Sequence, residues 1–125
     1  MEALILEATN LTPEIKFDAT QGVFELKGRS IPENSLEFYQ PVYEWLDTYL
    51  ENPNEKTVVN VQFDYFNTSS SKCILDILKR IDKLEDMGKD ILIKWYYDEN
   101  DEDMMEAGED YSDLLEAPFE LLVLE

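Results

Sequence analysis

The chain has 125 residues, 44% of them apolar, with 2 Trp, 7 Tyr and 6 Phe. That is enough for one domain spanning 1–125 around one core, and too aromatic for a disordered acidic chain. Its 29 acidic and 10 basic residues leave a net charge of −19, and it has no histidine. The charge argues against nucleic acid or an anionic membrane as main partner, and the missing imidazole removes Ser-His and Cys-His catalysis and histidine metal sites.

Residues 3–8 predict a short strand, residues 14–19 a second and residues 23–28 a third, the last two pairing as a hairpin across Gln21-Gly22. Together they are expected to form one edge of a sheet. A helix follows to about Leu50, with Asn34 or Ser35 as its N-cap. Leu36, Tyr39, Tyr43, Leu46 and Leu50 form its apolar stripe, and Pro41 implies a kink or a break into two helices. Residues 57–66 carry the strongest strand pattern, with Val59, Val61, Phe63 and Tyr65 on one face and Val58 and Phe66 on the other.

Asn67, Thr68, Ser69, Ser70 and Ser71 then lead into a helix that runs to about Met87. Ile74, Ile77, Leu78, Ile81 and Leu84 form its core face, and Gly88 is its stop signal. Asp76 stands four residues from both Lys72 and Arg80, a spacing that suits local ion pairs. Residues 90–98 predict another strand. The acidic stretch 98–116 predicts a helix or helix pair packed through Met104, Met105, Leu114 and Leu115. Pro118 ends it, and FELLVL closes the chain as a last strand. Strands alternating with helices imply a single-domain layered α/β fold with parallel crossovers.

The opening residues lack the basic region and the apolar length of a secretory signal, and no run reaches membrane-spanning length. The lone Cys73 cannot form an internal disulfide. The expectation is a cytoplasmic protein without membrane insertion, and a monomer when free, because like charge opposes self-association.

The run Thr68-Ser69-Ser70-Ser71 raises the functional question. One helix cap needs one hydroxyl, so capping explains the turn but not the excess. Phosphorylation is the alternative: a phosphate adds about −2 charge at a helix N-terminus that favours anions. The 98–103 stretch lacks the glycine of a calcium loop, and no carboxylate pair stands out as a catalytic dyad. No cofactor, metal site or catalytic residue is expected.

Ile31–Ser35, Asp64–Lys72, Lys94–Tyr111 and Ala117–Glu120, in that order and spacing, resemble the SiaC family of bacterial regulatory phosphoproteins. The resemblance implies a fold like that of STAS-type anti-sigma factor antagonists. It also implies a non-catalytic switch: a Ser/Thr protein kinase phosphorylates Thr68 and a PP2C-type phosphatase reverses it. The unphosphorylated form would bind and activate a diguanylate cyclase, raising cyclic di-GMP and promoting aggregation and biofilm formation. Ser69 or Ser70 would cap the helix and hold Thr68 outward. Pro32, Glu33, Asn34, Ser35, Tyr65, Asn67, Ser69 and Ser70 are the candidate partner-binding residues. An anti-sigma factor antagonist controlling a sigma factor is the nearest alternative, and a small enzyme using the 98–110 carboxylates the most distant.

Overall fold

The computed structural model describes residues 1–125. Three strands open the chain: β1 (Leu4–Leu6), β2 (Glu14–Asp18) and β3 (Val23–Ser30). Helix α1 (Ser35–Tyr49), strand β4 (Lys56–Phe66), helix α2 (Thr68–Asp86), strand β5 (Asp90–Tyr97), helix α3 (Glu102–Leu114) and strand β6 (Phe119–Val123) follow. They build one six-stranded sheet in the order β1-β2-β3-β4-β5-β6. The first three strands pair antiparallel, as their short connections require, and β3 to β6 pair parallel through the three helices. The fold is therefore the mixed α/β single domain read from the sequence.

Parallel crossovers are right-handed, so a strand order that advances steadily across the sheet carries all three helices to one face. Burial follows that rule. Val59, Val61, Phe63, Ile91, Ile93 and Trp95 are buried on the helix side, while their alternates Val58, Asn60, Gln62, Leu92, Lys94 and Tyr96 are only half-buried. The uncovered face sets opposite charges on neighbouring strands, with Glu14 beside Lys27, Lys16 beside Glu25 and Lys94 beside Glu120. That pairing lets the face stand in water.

Three expectations are corrected in α1, β4 and α2, and one open alternative is resolved. Pro41 lies inside a single helix, Ser35–Tyr49, rather than at a break into two. Pro41 and Glu37 are both exposed, so the carbonyl that Pro41 leaves unpaired is open to water. The buried stripe of α1 is Tyr39, Val42, Tyr43, Leu46 and Tyr49, and Leu36, assigned to the core by spacing, is 67% exposed. Tyr65 does not share the core face with Phe63. The β3–β4 register jumps from Gly28 opposite Phe63 to Arg29 opposite Tyr65, so Asp64 is an extra residue on β4. That bulge turns Tyr65 outward and brings Phe66 onto the core. Finally, Arg80 takes its carboxylate partner from α1, with Nε 3.1 Å from Asp47, and reaches only the backbone carbonyl of Asp76.

Helix α3 packs against the sheet through Met104, Gly108 and Tyr111, and Leu114 is exposed rather than buried. The buried Trp95 indole donates to the Met104 carbonyl at 3.0 Å, holding helix and strand together. Asp82 of α2 accepts from the backbone N–H groups of Glu116 and Ala117, at 3.1 and 2.7 Å, and fixes the turn into β6. No buried side-chain polar atom lacks a partner. No helix is long and apolar enough to cross a membrane.

Two predictions follow from this packing. A Cβ at Gly108 would meet Leu121 Cδ2 at 2.5 Å and Trp95 Cδ1 at 2.6 Å. Gly108→Ala is expected to cost about 1–3 kcal/mol, the usual range for overpacking, read as a lower urea midpoint at unchanged slope. Glu116 is held above the usual carboxyl range, chiefly by the negative charge of Asp86 and a hydrogen bond to it, then by Asp82. A raised folded pKa contributes stability below the unfolded pKa and loses it as pH rises through the folded value. Glu116→Gln should therefore have the higher thermal midpoint at pH 7, with the gap closing towards about pH 4.5.

Candidate functional site: the strand-to-helix turn after β4

The parallel pairing of β3 and β4 sets their C-terminal ends side by side, with Ser30 opposite Phe66. The next residues start α1 and α2, so two helix N-termini stand together, where ligands usually meet such a sheet. The Asn67 N–H donates to the Ser30 carbonyl at 3.0 Å and ties the two ends.

Asn67 is the N-cap of α2, with its side-chain oxygen accepting from the Ser70 N–H at 2.8 Å. The expectation that Ser69 or Ser70 caps the helix is thus corrected. Both lie inside the first turn, and Asn67 alone has the extended backbone that a cap requires. Asn34 plays the same part for α1, accepting from the Glu37 N–H at 3.1 Å.

The four hydroxyls of the turn are not equivalent. Ser70 is fully buried, and its Oγ accepts from Ser30 Oγ at 2.7 Å. Ser30 Oγ lies 2.6 Å from the Tyr39 hydroxyl, and Ser35 Oγ lies 3.4 Å from Ser70 Oγ. Ser71 is half-buried and donates its hydroxyl to the Thr68 carbonyl at 2.6 Å. Thr68 and Ser69 are exposed.

A groove of about 480 Å³ runs between the two helix starts. Glu33, Asn34, Ser35 and Leu36 form its α1 side, and Thr68, Ser69, Lys72, Cys73 and Asp76 its α2 side. Among the candidate partner-binding residues the fold thus gathers Glu33, Asn34, Ser35 and Ser69 with Thr68. Asn67 caps, and Ser70 is sealed beneath. Pro32 is half-buried in the turn before α1, and Tyr65 is exposed at the end of β4, neither lining the groove. Sequence reasoning missed Leu36, because helical spacing alone made it a core residue. It also missed Ser30, whose contact with Ser70 spans 40 positions along the chain.

The acidic stretch performs structural work. Asp101 caps α3 by accepting from the Met104 N–H at 3.0 Å, and Asp98 accepts from the Asn100 N–H at 2.8 Å. No group of carboxylates and cysteine gathers in a metal-holding arrangement.

Fold and turn define a small α/β domain that presents hydroxyls at paired helix starts. The model of the family described as SiaC family regulatory phosphoprotein matches residues 6–124, and the chain belongs to this family. An uncharacterized protein of Pseudomonas aeruginosa strain UCBPP-PA14 is 30% identical over 119 residues, 95% of this chain and 94% of its own. SiaC of Pseudomonas aeruginosa superposes with a TM-score of 0.91 at 28% identity, over 99% of this chain and all of its own. A chain from the crystal structure of the diguanylate cyclase SiaD in complex with its activator SiaC, from the same organism, gives 0.90 at 29% identity. It covers 97% of this chain and 99% of its own.

The capping assignment makes its own prediction. Asn67→Ala is expected to cost about 0.5–2 kcal/mol, whereas Ser69→Ala should stay within about 0.5 kcal/mol of the parent. Urea unfolding of the two variants side by side checks it, and equal losses would contradict the assignment.

Proposed function

We propose that the chain is a non-catalytic cytoplasmic switch that binds and activates a diguanylate cyclase when Thr68 is free and releases it when Thr68 is phosphorylated. A Ser/Thr kinase and a PP2C-type phosphatase set the balance, and the output is cyclic di-GMP with its effects on aggregation and biofilm. The observation that carries the reading is the sorting of the turn. Burial withdraws Ser70, Ser71 is engaged with the backbone, and Thr68 lies exposed with Ser69 in a groove between two helix starts. Membership of a family of regulatory phosphoproteins supports the phosphate, and the activator role of SiaC towards SiaD supports the cyclase.

The physical effect of phosphate at this position follows from its surroundings. Thr68 is the first residue of a 19-residue helix, where an anion is stabilised by about 0.3–1 kcal/mol. Lys72 stands one turn further on the same side of the groove and can pair with the new charge. The helix therefore survives modification. A partner docked over the groove faces a different balance. It would have to bury a dianion beside Glu33 and Asp76, and burying an uncompensated charge costs several kcal/mol. A loss of about 3 kcal/mol is already more than a hundredfold in affinity.

The test isolates the protein from its native host and maps its phosphate. Thr68→Ala should carry none and still co-purify with a diguanylate cyclase, while Ser69→Ala should be phosphorylated like the parent. The phosphorylated parent should bind that cyclase more than a hundredfold more weakly than the free form. Stoichiometric phosphate on Thr68→Ala would sink the acceptor assignment, and retention of an anti-sigma factor in place of a cyclase would redirect the output.

A further inference from the structure

The first turn of α2 is held from both flanks by tyrosine hydroxyls. On the α1 side, Ser30 donates its single proton to Ser70 Oγ at 2.7 Å, so the Tyr39 hydroxyl, 2.6 Å away, is the donor to Ser30. Tyr39, Ser30 and Ser70 are all fully buried. One helical turn along, the Tyr43 hydroxyl donates to the Cys73 carbonyl at 3.3 Å. Tyr43 is itself braced by the Arg80 guanidinium, 4.3 Å above its ring, which is tied in turn to Asp47. From the α3 side, the Tyr111 hydroxyl donates to the Ser71 carbonyl at 2.9 Å. Each of Ser70, Ser71 and Cys73 thus receives a contact that an ordinary helix start does not have.

We propose that Tyr39, Tyr43 and Tyr111 are positioning residues that clamp this turn in one frame, with Ser70 inward and Thr68 outward, and so determine which hydroxyl receives phosphate. The inference rests on the reading of the turn as a phospho-switch. In the transfer, the γ-phosphoryl group of a nucleoside triphosphate moves to Thr68 Oγ, the nucleoside diphosphate leaves, and the hydroxyl proton passes to a base on the kinase. Such a step requires the accepting oxygen in line with the leaving group, and adjacent hydroxyls compete for that place. Four hydroxyls in a row on a loose turn would compete freely; on the clamped turn Ser70 is withdrawn, Ser71 is engaged with the backbone, and Thr68 and Ser69 stand about 100° apart around the helix axis. Burial pushes all three phenols above their ordinary range, so they remain protonated donors at any physiological pH.

Tyr→Phe replacement removes each hydroxyl and keeps each ring. The full chain, Tyr39→Phe, Tyr111→Phe and the double variant are expressed in the native host, and the phosphate on each is mapped by mass spectrometry. Amide exchange is followed across residues 68–73. Tyr49→Phe is the control, because the Tyr49 hydroxyl bonds Thr57 at 2.8 Å, far from the turn in the same core. The double variant is expected to exchange roughly fivefold to tenfold faster across the turn, as the loss of a hydrogen bond implies. Its phosphate should spread from Thr68 to Ser69 or Ser70, while Tyr49→Phe, though less stable, keeps it on Thr68. Phosphate confined to Thr68 in the double variant overturns the proposal, whether or not exchange is faster. A parent chain without phosphate on Thr68 refutes the switch reading itself, and this inference with it.

Discussion

The handedness of parallel crossovers fixes nearly everything else in this molecule. Once β3, β4, β5 and β6 pair in sequence order, right-handed connections leave one face of the sheet for all three helices. The same constraint sets the starts of α1 and α2 beside each other, because each begins where one of two neighbouring strands ends. The groove beside Thr68 is a consequence of that topology, and no special loop has to build it. The opposite face then carries no helix, and alternating charges on adjacent strands keep it soluble.

Within that frame the turn after β4 sorts its polar side chains residue by residue. Asn67 supplies the cap, Ser70 the buried contact with β3, and Ser71 a bond back to the backbone. A polar network buried this close to the surface has a high cost if any member is unpaired, and every member here has a partner. The excess of hydroxyls over capping needs is thereby divided between an interior chain and an exposed pair. Thr68 and Ser69 are left to the solvent because the others are consumed by packing.

The strands and helices were readable because their periods are strong and their stops chemical: Gly88 takes a positive φ of 77° right after α2, where a residue with a side chain would be strained. The alternating order of elements likewise announced the parallel sheet. The failures share one cause, which is that local periodicity carries no information about what lies across the gap. Leu36 has the spacing of a core residue, yet it stands in the first turn of α1 and faces the groove. Tyr65 obeyed the two-residue alternation until a single inserted residue, Asp64, shifted the register against β3. The motif pointed to the turn, but the burial of Ser70 depends on Ser30 and Tyr39, which no spacing rule connects to it.

A switch at a helix start has to reconcile two opposing electrostatic effects. The N-terminal dipole and Lys72 favour a phosphate at Thr68, whereas Glu33, Asp76 and the net charge of −19 oppose any further negative charge. Both contributions are small while the groove is open to water, since exposed pairs are worth at most about 1 kcal/mol. Covering the groove removes that screening, and the unfavourable part then grows faster than the favourable one, because a dianion exceeds what a single ammonium can neutralise. The modification can therefore be nearly silent in the free protein and decisive in the complex. That asymmetry is what a regulator needs if it must stay folded in both states and differ only in what it will bind.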